Sequence, residues 1–170
     1  MFFIAAFATY SQEWTQNNKL TKVTFKIKNF GVNVDGDFSN VKISTNFNPK
    51  NLSESYINAT IAVKSISTGI KGRDKHILEE DYFDEPNHKN IVLKSSKIQK
   101  NSDGSYTMTG ELTLKNTTKK VEIPLEITED DEKIMIQSKF TINRKDYKVG
   151  GGSFIMSKTV KIQVEFTGTK

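Results

Sequence analysis

Apolar and polar residues alternate along most of the chain. Val23, Phe25 and Ile27 stand between Lys22, Thr24, Lys26 and Lys28. A period of two sends alternate side chains to opposite faces, so this segment predicts a strand with one dry face and one wet face. Val32, Val34, Gly36 and Phe38 continue the pattern after Asn29-Phe30-Gly31, and Val41, Ile43, Thr45 and Phe47 follow. Gly36 and Ser39-Asn40 predict a bend or bulge in one long strand, which Asn48-Pro49 ends. Ile57, Ala59, Ile61 and Val63 predict a third strand, and residues 89–98 a less regular fourth. Asn101 to Gly104 reads as a turn. Alternation then resumes over Tyr106 to Leu114, Val121 to Ile127, Ile134 to Ile142 and Val160 to Phe166, with an acidic turn at residues 129–132.

One stretch has helical character. Residues 73–83 carry Ile77, Leu78 and Phe83 on roughly one side, and Pro86 ends the pattern. The expected fold class is therefore all-β. We expect an eight-stranded antiparallel up-and-down barrel, with one short helix between strands three and four. A closed barrel removes the exposed sheet edges that an open meander would leave.

In such a meander, the connections at 29–31, 65–88, 115–119 and 143–157 share one end. Two of these are the longest in the chain, so the barrel should open there. That end carries Lys71, Arg73, Lys75, Lys115, Lys119, Lys120, Arg144, Lys145 and Lys148. The helix also brings Asp74, Glu79, Glu80, Asp81 and Asp84 to it. A positive mouth for an anionic head and an ordinary solvated surface both remain open.

The 170 residues fit one domain, and no repeat or low-complexity linker divides them. Cysteine is absent, which excludes disulfides, thiolate metal sites and a cysteine nucleophile. The net charge of +5 is mild and spread among acidic residues. Nucleic acid is not expected as a partner, because basic residues alternate with the aromatics instead of sharing a face with them. Residues Met1 to Ala8 (MFFIAAFA) are too short to span a bilayer. They look like the apolar region of a secretory signal that lacks its usual preceding basic residues, with a cleavage zone at residues 8–12. We expect residues 1–11 to be a signal-peptide remnant, residues 12–170 to form the barrel, and the protein to be periplasmic or secreted.

Several segments resemble the YceI-like family. Ser65-Ile66-Ser67-Thr68-Gly69, Arg73-Asp74-Lys75-His76-Ile77-Leu78 and Asp81-Tyr82-Phe83-Asp84 are similar to its central signature. Val32 to Phe38, Thr109 to Leu114 with Thr117 to Val121, and Phe140 to Tyr147 are similar to three further motifs in the same order. Two places depart from the pattern. Thr21-Lys22 stands where many members carry a histidine, and His88-Lys89-Asn90-Ile91 replaces a Tyr-Pro segment. The resemblance implies a lipocalin-like barrel of the periplasm or cell exterior that binds a polyisoprenoid or similar long lipid. We expect no cofactor, no catalytic residue and no metal.

On this reading the lipid meets Phe25, Ile27, Val34, Phe38, Ile61, Leu78, Phe83, Leu93, Met108, Leu112, Phe140, Ile142, Met156 and Ile162. Leu125 and Val164 should also point inward. Ala59 and Gly110 would leave room, and Met108 and Met156 would adapt to a flexible chain. Arg73, Arg144 and Lys145 would orient a polar head. The expected partner is a long-chain lipid of isoprenoid or fatty-acyl type, carried or stored in the cell envelope. Transient contact with a membrane surface and a homodimer are both compatible with this. From the residues alone, a filled structural barrel remains open, and so does a lipid-modifying enzyme using Glu79 or Glu80. His76 and His88 lack a clear third metal ligand. Gly150-Gly151-Gly152-Ser153 lacks the Lys-Ser/Thr of a phosphate loop and reads as a flexible turn, an anion nest or a hinge.

Overall fold

Alternating side chains with hairpin turns between them produce antiparallel pairing throughout the computed structural model, which describes residues 12–170. The signal-peptide remnant expected at residues 1–11 lies outside them. In chain order the strands are β1 (Thr15–Gln16), β2 (Lys22–Asn29), β3 (Val32–Phe38), β4 (Val41–Thr45), β5 (Ile57–Ala62) and β6 (Ile66–Ser67). After helix α1 (Lys71–Ile77) come β7 (Asn90–Lys100), β8 (Tyr106–Leu114), β9 (Thr117–Glu129), β10 (Lys133–Asn143) and β11 (Met156–Thr169). They form one eleven-stranded sheet in the order β4-β5-β7-β8-β9-β10-β11-β2-β3-β6, with β1 pairing beside β11.

The two ends of this path meet. Chain continuity links β3 to β4 across Ser39-Asn40, and β5 to β6 across a 3-10 turn at Val63–Ser65. At this seam Ser39 N–H donates to Ser65 O at 3.1 Å, and Ala62 N–H donates to Asn40 O at 3.0 Å. The sheet therefore curls back on itself.

The expected count of eight strands is corrected by these breaks. Residues 32–47 do not form one long strand. The Ser39-Asn40 corner passes the chain from pairing with β2 to pairing with β5. The strand expected over 57–63 ends at Ala62, and its continuation β6 pairs with β3 instead. The helix is shorter than the expected 73–83. It stops at Ile77, and turns over the following residues bring Tyr82 and Phe83 down onto the sheet.

Register explains the irregular pattern of residues 89–98. A bulge lies between Ser95 and Lys97 in β7, where Ser95 faces Gly110 and Lys97 faces Thr109. The extra residue reverses the parity, so Leu93 and Ile98 both turn inward. Gly110 does not leave room for a ligand, as its small size suggested. A Cβ there would stand 2.5 Å from the Lys94 carbonyl oxygen, so the neighbouring backbone already fills that space. Gly110→Ala is expected to lower the unfolding free energy by about 1–3 kcal/mol through overpacking. Urea denaturation would measure this, and an unchanged midpoint would show that Lys94 can move aside.

The end of the sheet away from the long loops is closed. Trp14, Phe47, Tyr106, Ile98 and Ile134 are buried together there. Trp14 Nε1 donates to Phe47 O at 3.0 Å, and the Phe47 and Tyr106 rings meet edge to face at 5.1 Å. A second buried cluster, including Ile91, Leu114, Tyr147 and Val149, reaches the looped end.

Candidate functional site

Pairing register builds the site from rows of inward side chains. Ile43, Ala59, Leu93 and Leu112 stand opposite one another across β4, β5, β7 and β8. Gly36, Phe25, Ile162 and Phe140 do the same across β3, β2, β11 and β10. Between such rows lies a cavity of about 200 Å³. It extends from Met108, Ile123 and Phe166 near the closed end to Ile77, Tyr82, Phe83 and Met156 at the looped end. Its lining is nearly all apolar, with Thr24, Ser138 and Arg144 as the main exceptions. The Ser138 hydroxyl is already used, donating to Pro124 O at 2.6 Å. Such a wall offers few partners to water and suits a hydrocarbon chain.

Most residues expected to meet a lipid do line this cavity. They are Phe25, Ile27, Phe38, Ile61, Phe83, Leu93, Met108, Leu112, Phe140, Ile142, Met156 and Ile162. Two are corrected. Val34 is not part of the lining, although it pairs with Ile27, because it lies near the turn where the sheet reaches the rim. Leu78 caps α1 and packs against the second buried cluster without lining the cavity itself. Ala59 does line the space.

None of the three expected head-binding groups reaches into the cavity with a free donor. Arg73 Nε donates to Thr68 Oγ1 at 2.7 Å and its Nη2 to Thr68 O at 2.8 Å, so it braces the start of α1. Lys145 is exposed, with its ammonium 5.9 Å from the centre of the Phe154 ring. Arg144 borders the cavity and is only 3% exposed, yet its partners are all main-chain carbonyls. Nε donates to Ser157 O at 2.8 Å, Nη1 to Val149 O at 2.7 Å and to Gly150 O, and Nη2 to Met156 O at 2.9 Å and Ser153 O at 3.2 Å. A guanidinium has five N–H donors, and the loop consumes all of them. Burial lowers the Arg144 pKa from its ordinary value, against an opposing effect of Tyr82. The residue is a staple for the loop before β11.

Glu79 and Glu80 are exposed and border no part of the cavity. His76 Nδ1 lies 2.9 Å from Glu79, and His88 Nε2 lies 3.5 Å from Asp84. Among the described residues no group of three or more His, Asp or Glu side chains converges as a metal site would require.

Val23, Ile43, Ile57, Ile123, Ile136 and Val160 also line the cavity, beyond the residues expected from the sequence. Their parity already carried the signal, since each sits two or four positions from an inward neighbour. Tyr82 and Val149 come from irregular segments, where no period exists to read.

Comparison with known proteins agrees with this architecture. A model of the YceI-like domain family matches residues 14–168. A UPF0312 protein of Pectobacterium atrosepticum is 27% identical over 155 residues, covering 87% of this chain and 80% of that protein. A UPF0312 protein of Vibrio parahaemolyticus is 30% identical over 105 residues, and the match spans 61% of this chain and 56% of that relative. Among solved structures, Burkholderia cenocepacia BcnA superposes with a TM-score of 0.85 at 23% identity, over 89% of this chain and 98% of its own. A polyisoprenoid binding domain from Saccharophagus degradans, implicated in plant cell wall breakdown, gives 0.73 at 13% identity over 92% and 97%. At these identities the two structures share the fold.

Proposed function

The chain belongs to the YceI-like family, and from that membership together with its apolar interior we propose that it binds a long apolar lipid within a lipocalin-like barrel. The observation that carries the reading is the cavity itself, with an almost wholly apolar lining that runs from the closed end to Phe83 and Met156. A barrel packed solid by its own side chains would have no such space. Each methylene moved from water into this wall contributes about 0.8 kcal/mol. Ten therefore supply roughly 8 kcal/mol before the entropic cost of binding, without any polar anchor.

The fold shared with a polyisoprenoid binding domain favours an isoprenoid over a fatty acyl chain. The reading is of a binding protein that carries or stores its ligand in the cell envelope. The periplasmic or secreted location rests on the apolar run Met1 to Ala8 and on the family. Native mass spectrometry of gently purified protein tests the proposal, followed by exposure to a long prenol in detergent micelles. The expected result is a discrete mass increment that denaturation releases. Protein that carries no lipid and takes up none from the micelles would end the reading.

A further inference from the structure

Large apolar side chains are exposed mainly at the looped end. Among the described residues Phe30, Val32, Ile70, Phe154 and Ile155 lie there, against Leu20 and Met135 near the other end. Phe154 is 99% exposed and Phe30 is 72% exposed. These two belong to one patch, because Phe30 N–H donates to Ile155 O at 3.0 Å. Phe30 also occupies an unfavourable backbone region. Its φ is +50°, followed by Gly31 at +76°, in a turn where both central positions favour Gly, Asn or Asp. A bulky aromatic in that conformation, with its ring in water, costs stability twice over. Folding alone gives no reason for it.

Cations surround the patch. Met156 pairs with Asn29 and Val160 with Ile27, so exposed Lys158 lies in the bulge opposite exposed Lys28. Lys145 stands over the Phe154 ring. None of these three lysines belongs to an ion pair among the described residues. Asp146, next to Lys145 in sequence, accepts a hydrogen bond from Asn143, and Asp35, two residues beyond the Asn33 that faces Lys28, pairs with Lys26 at 3.1 Å. The patch also adjoins the ligand site, since Ile27, Met156 and Val160 line the cavity.

The geometry points to an anionic lipid bilayer as the partner of this rim. Phe30, Val32, Phe154 and Ile155 insert among the acyl chains, while Lys28, Lys145 and Lys158 meet the headgroups. Docking in this pose places the cavity mouth against the membrane, so a lipid tail can transfer without crossing water. The inference rests on the cavity being a lipid site, and it adds where the ligand enters.

Vesicle flotation of the full chain tests it. The two probes are phosphatidylcholine vesicles and vesicles of phosphatidylcholine with about one third phosphatidylglycerol. The protein should float with the anionic vesicles and much less with the neutral ones. Phe154→Ser with Ile155→Ser should weaken anionic-vesicle binding at least tenfold. Lys28→Gln with Lys158→Gln should remove most of the preference for anionic vesicles, at about fivefold per lysine. None of these residues lines the cavity, so prenol uptake from micelles stays normal in both variants. Normal prenol uptake with no flotation of the wild type overturns the docking and leaves the cavity reading intact. A patch that instead pairs two copies, seen as a dimer in light scattering that Phe154→Ser with Ile155→Ser dissolves, also overturns it.

Discussion

An Ala59→Phe variant is expected to fold as the wild type does and to lose about a hundredfold in lipid affinity. Ala59 is the one small side chain in the row Ile43–Ala59–Leu93–Leu112, and it borders the cavity. A phenyl ring at this position projects into space that a ligand would otherwise fill. Displacing about four methylenes removes roughly 3 kcal/mol of burial, which is about two orders of magnitude in Kd. Stability should change little. The overpacking cost of about 1–3 kcal/mol is offset by burying a ring in space already present. The neighbouring Thr60 is exposed on the outer face, so Thr60→Phe is the control that leaves binding alone. Binding of a fluorescent prenol analogue measures both variants. Equal affinities for Ala59→Phe and wild type would show that the ligand does not occupy this part of the interior.

Arg144→Met should cost the protein about 2–5 kcal/mol of stability and release the loop before β11. Two effects oppose each other. Removing a buried cation relieves a desolvation penalty of several kcal/mol. It also strips the partners from five carbonyls, and Val149 and Gly150, which carry two of them, are themselves buried. Each orphaned buried carbonyl costs about 1–3 kcal/mol. The loop cannot rotate these groups to water without losing Val149 and Met156 from the cavity wall. The carbonyl loss therefore dominates. Arg144→Lys separates charge from geometry. Lysine keeps the charge but has three donors on one atom, which cannot span five carbonyls. It should be nearly as destabilised as the methionine variant. Chemical denaturation gives the stability, and hydrogen exchange over residues 144–157 reports the loop. Full rescue by lysine would mean that the charge, and not the fork, holds the loop.

The two variants separate what was legible in the chain from what was not. Ala59 could be placed on an inward face from its alternation with Ile57, Ile61 and Val63 alone. Arg144 could not be assigned. A basic residue at the end of a strand, beside a long loop, looks the same whether it faces a headgroup or its own backbone. Lys145, next to it, ends in water over Phe154. Gly110 and Ala59 also looked alike as small residues on inward faces. The β7 bulge brings the Lys94 carbonyl against Gly110, while Ala59 faces the cavity.

Alternation by itself determined the all-β character, the inward faces and the end where the connections are long. Period two is a local property, since each residue's face depends only on its neighbours in the strand. Tertiary structure alone decided that the bend expected at Ser39-Asn40 hands the chain from β2 to β5, that Arg144 spends its donors on the loop, and that Tyr82 and Val149 help close the cavity. Each of these depends on which distant backbone comes within hydrogen-bonding or packing distance. Those meetings are set by register and by the curl of the sheet, and the order of residues along a single strand does not encode them.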